Sequence, residues 1–168
     1  MRIFYPTLIV RRVMDITSTT LADMGVKALI LDLDNTLTTH NNPRPDPSVL
    51  KWLDKMRRAN IKMTILSNNS RERVLPFAKA LRLNFIAAGL KPLPSGYARA
   101  VAALGMPKSK VAVVGDQIFT DVFGARLYGA KSILVEPFEY ESHPFFKFKR
   151  KLEVVILQKY RRLHKKPK

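Results

Sequence analysis

Short apolar runs alternate with segments of helical periodicity along this chain of 168 residues, and that alternation limits the possible folds more than any other property of the sequence. The apolar runs cover residues 26–31, 61–66, 85–87, 111–114 and 132–135. Near-continuous apolar runs of this kind are typical of parallel strands that helices cover on both faces of a sheet. We therefore predict a doubly wound, Rossmann-like α/β fold, with its ligand site beyond the carboxyl ends of the strands.

Helix start and stop signals fill the intervals between these strands. The predicted helices cover residues 15–24, 46–60, 70–83, 95–104 and 121–128. Asp46 followed by Pro47 matches the preferred N-cap and first helical residue, and Gly105 and Gly129 match helix stops. Pro76 is expected near the first turns of its helix or at a kink.

Length and composition predict one domain over residues 1–168, because a chain of this length buries one sizeable core and is short for two. The absence of cysteine excludes disulfides, thiolate metal sites and a cysteine nucleophile. Apolar stretches such as residues 154–157 are far shorter than the roughly 20 residues of a membrane-spanning helix. Arg11 and Arg12 also interrupt any signal peptide, so we expect a cytoplasmic protein.

A net charge of +17, from 30 Lys and Arg against 13 Asp and Glu, is the second unusual property. Such an excess predicts a polyanionic partner, which is nucleic acid, an anionic membrane or a phosphorylated substrate. In the C-terminal tail, residues 145–168, Glu153 is the only acid. Apolar residues recur there at helical spacing: Phe145, Phe148, Leu152, Ile156 and Leu163.

Two interpretations of this tail stay open. The apolar stripe could lie in a membrane interface, or it could pack on the sheet while the bases face solvent. The basic and aromatic N-terminal segment, residues 1–24, leaves the same two alternatives. Peripheral binding at the inner face of the membrane through both ends is our hypothesis.

Polar side chains follow the ends of the predicted strands. They are Asp32 and Asp34 after the first strand, Ser67 and Asn68 after the second, and Asp116 and Asp121 after the fourth. Two carboxylates at the mouth of a buried strand lose solvation and repel each other unless a cation lies between them. The aspartate pair therefore predicts a metal, with one acid attacking and the other moving protons.

Mg²⁺ fits these donors, because it prefers carboxylate and carbonyl oxygens and often shares a substrate phosphate. Asp32 and Asp116, with the backbone carbonyl of Asp34, would supply part of its shell. Asp121 could hold a metal-bound water or orient Lys91.

A phosphate at this site also needs donors. Ser67 offers a hydroxyl, and backbone amides at Asn68 and in the loop of Asp34 offer N–H groups. Lys91 offers a positive charge that would offset the negative charge of a transition state.

The chain resembles the phosphatases of the haloacid dehalogenase (HAD) superfamily at all four of their motifs, in order and at strand ends. The matching segments are Asp32-Leu33-Asp34-Asn35-Thr36, Ser67-Asn68-Asn69, Lys91-Pro92 and Gly115-Asp116-Gln117-Ile118-Phe119-Thr120-Asp121. The resemblance implies a Mg²⁺-dependent phosphatase that works through a phosphoaspartate. The general acid that it assigns to Asp34 favours a phosphatase over a dehalogenase.

The same resemblance implies a role for each matching position. Asp32 would be the nucleophile, and Asp34 would protonate the leaving oxygen and later activate water. The phosphate would be held by Thr36, Ser67, Asn68 and Lys91. The metal would be held by Asp32, Asp34, Asp116 and Asp121.

HAD enzymes that select small metabolites usually carry a cap domain, inserted after the first motif or between the second and third. Each of these intervals has room here for one helix and its flanking strand, so we expect no cap. A flap from Thr38 to Pro45 is the only visible cover, and His40 lies within it. An open site suits a phosphate presented on something large.

The likeness extends over nearly the whole chain to the small capless YqeG family of subfamily IIIA, which is related to mitochondrial phosphatidylglycerophosphatase. It implies dephosphorylation of phosphatidylglycerophosphate, in which the phosphate belongs to a lipid head group. Leu93-Pro94 departs from the family pattern, because it breaks the usual helix start after Lys91-Pro92.

Other functions fit parts of the sequence. A phosphatase of a soluble small phosphomonoester would use the same motifs. A basic RNA- or ribosome-associated protein would explain the charge, but no aromatic-rich RNA motif is present and a pure binder has little reason to keep all four acids. A phosphorylated receiver domain would carry its aspartate after the third strand, where this chain has Ala87-Ala88-Gly89.

Overall fold

Six parallel strands form one sheet at the centre of this computed structural model, which describes residues 2–39, 45–138 and 144–163, with side chains from 151 onward in the last range. The strands are β1 (Leu8–Val10), β2 (Ala28–Leu31), β3 (Lys62–Leu66), β4 (Asn84–Ile86), β5 (Val111–Gly115) and β6 (Lys131–Val135). Their order across the sheet is β1-β6-β5-β2-β3-β4, and every neighbouring pair is parallel. The prediction of a doubly wound, Rossmann-like sheet is confirmed.

Helices connect the strands and cover both faces of the sheet. They are α1 (Ser18–Asp23), α2 (Pro47–Arg58), α3 (Arg71–Leu81), α4 (Pro94–Leu104), α5 (Phe123–Tyr128) and α6 (Pro144–Leu163). Short 3₁₀ turns cover Arg2–Phe4, Val13–Asp15 and Lys108–Lys110, and a π-helix covers Ile118–Val122. Pro76 lies inside α3, and Pro94 is the first residue of α4 rather than a break in it.

Alternate residues of the central strand β2 face two separate cores, because successive side chains of a strand point to opposite faces. Leu29 and Leu31 pack in the core under α2 and α3, while Ala28 and Ile30 pack in the core under α4 and α5. All four side chains are fully buried. This double burial explains why the strand is apolar at every position.

The N-terminal segment forms part of the sheet, which the sequence did not predict. Leu8, Ile9 and Val10 make β1, the edge strand that pairs with the end of β6. The predicted helix over 15–24 is wrong in extent, because the 3₁₀ turn Val13–Asp15 and α1 replace it, with Thr17 as the N-cap of α1. Tyr5, Val13, Ile16 and Leu21 are buried, so this segment packs on the protein at several points.

The apolar stripe predicted for the C-terminal tail is divided in the structure. Ile156 of α6 packs against a small core of Ile118, Val122 and Leu134, whereas Leu152 and Leu163 are exposed. The side chains of Phe145 and Phe148 lie outside the described ones. Among the described residues, no helix has the length and apolar character needed to cross a membrane.

The expected absence of a cap domain is confirmed for the described part of the chain. Between Asp32 and Ser67 its elements are α2 and β3, and between Ser67 and Lys91 they are α3 and β4. Of the predicted flap, Thr38 is buried and forms a bridge with Asp34. Residues 40–44, with His40, lie outside the described residues.

Asp46 caps α2 as predicted, and its removal should destabilise the fold. Its Oδ1 accepts hydrogen bonds from the Ser48 hydroxyl at 2.5 Å and from the Ser48 backbone N–H at 2.7 Å, and these bonds lower the pKa of the carboxyl. We expect Asp46→Ala to lower the free energy of unfolding at pH 7 by about 1 kcal/mol, measured by urea denaturation. Asp46→Asn should keep most of the stability, and an equal loss in both variants would contradict the cap.

The pH dependence of this cap has a fixed sign. A carboxyl whose pKa is lower in the folded state stabilises the fold above its ordinary pKa of 3.8 and loses that contribution as the pH falls. The difference between wild type and Asp46→Ala should therefore shrink at pH 3.

Candidate active site

Three neighbouring strands deliver polar side chains to one edge of the sheet. Asp32 follows β2, and its backbone N–H still donates to the Val114 carbonyl of β5 at 2.9 Å. Ser67 follows β3, and its backbone N–H donates to the Ile86 carbonyl at 3.0 Å. Asp116 follows Gly115, the last residue of β5. The predicted residues therefore start from a rigid frame of backbone hydrogen bonds.

Three carboxylates converge at this edge. One oxygen from each of Asp32, Asp116 and Asp121 lies within 4.8 Å of the other two, and Asp116 and Asp121 are each only 2% exposed. A cluster of buried carboxylate oxygens fits a hard divalent cation. The carboxylate of Asp34 is not part of this cluster. Asp34 was predicted to hold the metal through its backbone carbonyl, and that role stays a prediction.

Asp121 reaches the cluster because the chain makes a π-helix after β5. The predicted helix begins at Asp121, but the wider π turn starts at Ile118 and brings the Asp121 carboxylate back to accept from the Gln117 backbone N–H at 3.2 Å. A side chain at Gly115 would overlap that carboxylate. The buried Tyr97 hydroxyl donates to the Thr120 carbonyl at 2.7 Å and supports the same turn. Single π turns of this kind often occur at functional sites.

The Lys91 ammonium lies between two of the carboxylates. Its Nζ is 2.6 Å from Asp32 Oδ1 and 2.7 Å from Asp121 Oδ1. Asn68 holds the Lys91 backbone from both sides: its Oδ1 accepts from the Lys91 N–H at 2.6 Å, and its Nδ2 donates to the Lys91 carbonyl at 3.0 Å. The Asn68 side chain therefore positions Lys91. The phosphate-binding role predicted for its backbone amide stays a prediction.

Burial and neighbouring charge set the ionisation of the site. Burial raises the pKa of Asp32 to about 6, although the Lys91 charge opposes the shift; the charge of Asp121 adds to it. Burial alone would lower the pKa of Lys91, but the charges of Asp121 and Asp32 together outweigh it and raise that pKa. At neutral pH the site therefore holds an ammonium ion beside an ionised Asp32.

The Asp34 carboxylate is held by two side chains from the segment after β3. Asn69 Nδ2 donates to Asp34 Oδ2 at 2.5 Å, and Arg73 Nη2 forms an ion pair with Asp34 Oδ1 at 2.6 Å. The Arg73 guanidinium also lies over the Phe77 ring, 4.9 Å from its centroid. The sequence did not single out Arg73. The only sequence signal for Arg73 was its position, since the first turn of α3 starts at the carboxyl edge of the sheet.

Two hydroxyl groups complete the polar site. Thr36 Oγ1 donates to Asp32 Oδ2 at 3.2 Å, so it contacts the predicted nucleophile directly. Ser67 is buried, and its Oγ accepts from the Asn69 backbone N–H at 3.1 Å. A hydroxyl that accepts one hydrogen bond still has a proton to donate, so Ser67 fits a phosphate oxygen.

Arg73 and its neighbour Arg71 offer a matched test of the Asp34 contact. We expect Arg73→Ala to lower kcat on a soluble phosphomonoester by about tenfold. This is a small part of the roughly 10²–10⁴-fold that a positioned acid–base group contributes. Arg71→Ala, on the same turn but stacked over Phe85, should leave kcat unchanged. Steady-state kinetics of both variants measure the effect. An equal loss of activity in the two variants would contradict a role for Arg73 in holding Asp34.

The parallel sheet and this set of side chains define a hydrolase of the HAD class. This chain belongs to the haloacid dehalogenase-like hydrolase family, whose sequence model matches residues 40–129. That match begins after Asp32 and Asp34, so the first motif depends on the geometry above. A relative that matches nearly the whole chain is "Probable phosphatase YqeG" of Bacillus subtilis (strain 168), which is 35% identical over 161 residues, 96% of this chain and 94% of that protein. The predicted family and the phosphatase class are thereby confirmed.

Solved structures with the same fold are more distant in sequence. The 4-nitrophenylphosphatase of Thermotoga maritima superposes with a TM-score of 0.58 at 14% identity, over 71% of this chain and 89% of that one. The cobalt-bound deoxy-D-mannose-octulosonate 8-phosphate phosphatase of Haemophilus influenzae gives a TM-score of 0.54 at 14% identity, over 82% of this chain and 90% of that one. At these identities the likeness establishes the fold.

Proposed function

We propose that this phosphatase depends on Mg²⁺, works through an aspartyl-phosphate on Asp32 and acts on a lipid-borne phosphate, phosphatidylglycerophosphate. The observation that carries the proposal is the position of Asp32, which contacts Lys91 and lies within the cluster formed with Asp116 and Asp121. The closest alternative is a phosphatase of a soluble small phosphomonoester, which would use the same side chains.

The proposed reaction follows from these contacts. Asp32 attacks phosphorus, so that a bond forms between its carboxylate oxygen and phosphorus while the bond to the leaving oxygen breaks. Asp34 gives a proton to that leaving oxygen and then takes one from the water that hydrolyses the phosphoaspartate, which frees Asp32 and inorganic phosphate. Lys91 offsets the negative charge on the phosphoryl oxygens, and Ser67 donates to one of them.

A divalent cation would fit beside these residues. Asp32, Asp116 and Asp121, with the backbone carbonyl of Asp34, would hold it. A bound Mg²⁺ would neutralise charge between the carboxylates and the phosphoryl oxygens. The cobalt-bound form of the Haemophilus influenzae phosphatase supports a divalent ion in this fold.

A lipid substrate is supported by the lack of a cap domain in the described part of the chain and by the outer face of α6. On that face three large apolar side chains are exposed: Leu152, Val155 and Leu163. Exposed bases lie among them at Lys151, Lys159, Arg161 and Arg162. Such a face suits the interface of an anionic membrane, where each base near the surface contributes about 1 kcal/mol of attraction.

The decisive experiment compares two substrates. We expect kcat/KM to be higher for phosphatidylglycerophosphate in mixed micelles than for 4-nitrophenyl phosphate, and both activities to be lost in EDTA and restored by Mg²⁺. Equal or lower kcat/KM on the lipid would favour the soluble alternative. Turnover that survives EDTA would overturn the metal requirement.

Membrane binding is tested separately. Co-sedimentation with anionic and with neutral vesicles should recover the protein only with the anionic ones, and less so at high salt. Negligible binding to both would contradict the peripheral location. Binding to RNA alone would favour the nucleic-acid alternative.

A further inference from the structure

Tyr97 lies in the first turn of α4, outside the four matching motifs, yet its side chain contacts the π turn of the active site. The side chain is fully buried, and its hydroxyl donates to the Thr120 carbonyl at 2.7 Å. A buried tyrosine hydroxyl usually finds a hydrogen-bond partner, so the bond by itself fits simple packing. The group that accepts this bond suggests more than packing.

The Thr120 carbonyl belongs to the peptide unit that leads into Asp121. A peptide unit is planar, so the Thr120 carbonyl and the Asp121 N–H turn together. The Asp121 N–H donates to the Gln117 carbonyl at 2.9 Å, while the Thr120 carbonyl accepts from Tyr97. Both polar groups of this peptide are therefore held, one by the π turn itself and one by a side chain from α4. The held plane restricts the direction in which the Asp121 side chain leaves the backbone.

The Asp121 carboxylate depends on that direction, because both of its oxygens are committed. Its Oδ1 accepts from Lys91 Nζ at 2.7 Å, and its Oδ2 accepts from the Gln117 N–H at 3.2 Å. It also supplies one of the clustered oxygens that lie within 4.8 Å of one another, with Asp32 and Asp116. A rotation of the peptide before Asp121 would move its oxygens relative to the other two carboxylates.

Tyr97 is a rigid donor for this bond. Its ring stacks on the ring of Tyr128, with 6.2 Å between their centroids, and a side chain at Gly124 would overlap the Tyr97 ring. Burial raises the pKa of the Tyr97 hydroxyl, and the charge of Asp121 adds to this shift while that of Lys91 opposes it. The hydroxyl therefore keeps its proton. A donor whose own position is fixed by packing can hold its acceptor in one orientation.

We propose that Tyr97 is a positioning residue for the metal site, because it fixes the peptide before Asp121 and so holds the Asp121 carboxylate in the cluster. The inference rests on the Mg²⁺ dependence proposed above and adds a residue from outside the four motifs. Groups that orient metal ligands typically contribute about 10–100-fold in metal affinity. Loss of the hydroxyl should therefore weaken the binding of Mg²⁺ more than it slows the chemical step.

Tyr97→Phe and Tyr128→Phe provide a matched pair of variants. The first deletes the hydroxyl that holds Thr120 and keeps the ring, whereas the second deletes the hydroxyl of the stacked ring and leaves the bond to Thr120 in place. Calorimetric titration with Mg²⁺ alone gives Kd without any turnover. We expect at least about tenfold weaker Mg²⁺ binding by Tyr97→Phe and unchanged binding by Tyr128→Phe. On 4-nitrophenyl phosphate at saturating Mg²⁺, kcat of Tyr97→Phe should fall by a smaller factor than its Mg²⁺ affinity.

A double-mutant cycle with Asp121→Asn tests whether Tyr97 acts through Asp121. In that background the change of Tyr97 to Phe should weaken Mg²⁺ binding by less than about twofold further, because the carboxylate that it positions is already gone. A tenfold loss in both backgrounds would show that Tyr97 acts independently of Asp121 and would overturn the proposal.

Thermal unfolding in EDTA separates positioning from folding. A lower Tm of Tyr97→Phe with unchanged Mg²⁺ affinity would reduce Tyr97 to a packing role and overturn the proposal, while the phosphatase function would stand. A wild-type protein that binds no Mg²⁺ and turns over in EDTA would overturn the metal requirement itself, and this inference with it.

Discussion

Asp32→Asn should abolish phosphatase turnover, with a loss of at least about 10⁴-fold in kcat, as expected when a covalent nucleophile is removed. The amide keeps the size of the side chain and can still accept from Thr36 Oγ1. It cannot attack phosphorus as a carboxylate does. Steady-state assays on 4-nitrophenyl phosphate with Mg²⁺ measure the effect, and Asp23→Asn at the exposed end of α1 is the control with unchanged rate.

The same variant should be more stable than the wild type once metal is removed. The pKa of Asp32 rises from 3.8 to about 6 on folding, so the folded state resists ionisation and stability is lost as the pH rises between these values. A rise of the Asp32 pKa from 3.8 to about 6 corresponds to about 3 kcal/mol of stability. We expect the stability gained by Asp32→Asn in EDTA to grow from pH 4 to pH 6 and then level off.

These two readouts separate loss of chemistry from loss of folding. Mg²⁺-dependent turnover that survives in Asp32→Asn would refute the nucleophile. A stability difference that stays flat between pH 4 and pH 6 would show that Asp32 is not buried as described. Urea denaturation at several pH values provides the measurement.

Lys91→Met should lose both activity and stability. The ammonium contacts Asp32 and Asp121, and its side chain is only 4% exposed. Removing one partner of a buried ion pair costs about 3–5 kcal/mol, because the remaining charges stay buried. Turnover should fall on the order of 10³-fold, since the charge that offsets the phosphoryl oxygens is also lost.

Metal should rescue the stability of this variant but not its activity. With the ammonium gone, the carboxylates carry more uncompensated charge, so Mg²⁺ should raise the Tm of Lys91→Met more than that of the wild type. Thermal unfolding with and without Mg²⁺ tests this. The control is Lys62→Met, which removes an exposed lysine that donates to the Leu104 carbonyl. An equal Mg²⁺ effect in all three proteins would place the ion away from Lys91.

The sequence predicted the interior of the sheet better than the edge that β1 forms. Strands β2 and β5 are apolar at every position because both of their faces are buried, and this pattern is unmistakable. Strand β1 has only three residues at the edge of the sheet, and its partner β6 is more than a hundred positions away. No local pattern encodes such a pairing, so the sequence of Leu8, Ile9 and Val10 is equally compatible with an edge strand and with a surface segment. The single domain over 1–168 stays a prediction.

Most of the site was predictable because its residues follow the ends of buried strands. Asp32, Ser67 and Asp116 needed only the strand assignments and the rule that parallel strands end at one edge. The roles of Asn68 and Arg73 depend on distances across the fold, to Lys91 and Asp34, which no sequence spacing reports. The position of the Asp121 carboxylate in the cluster depends on a π turn, and helical periodicity in the sequence gives no signal for such a turn.

The hydrogen bond from the Ile118 N–H to Glu153 bears on how the basic tail should be studied. Glu153 belongs to α6, and Ile118 opens the π turn that carries Asp121. Truncation of the tail before α6 would therefore remove a contact that supports the active site along with the positive charge. Lost activity in such a deletion would not distinguish weaker membrane attachment from a misplaced aspartate. Charge reversal at exposed positions such as Lys159 and Arg162 changes the surface while Glu153 stays in place.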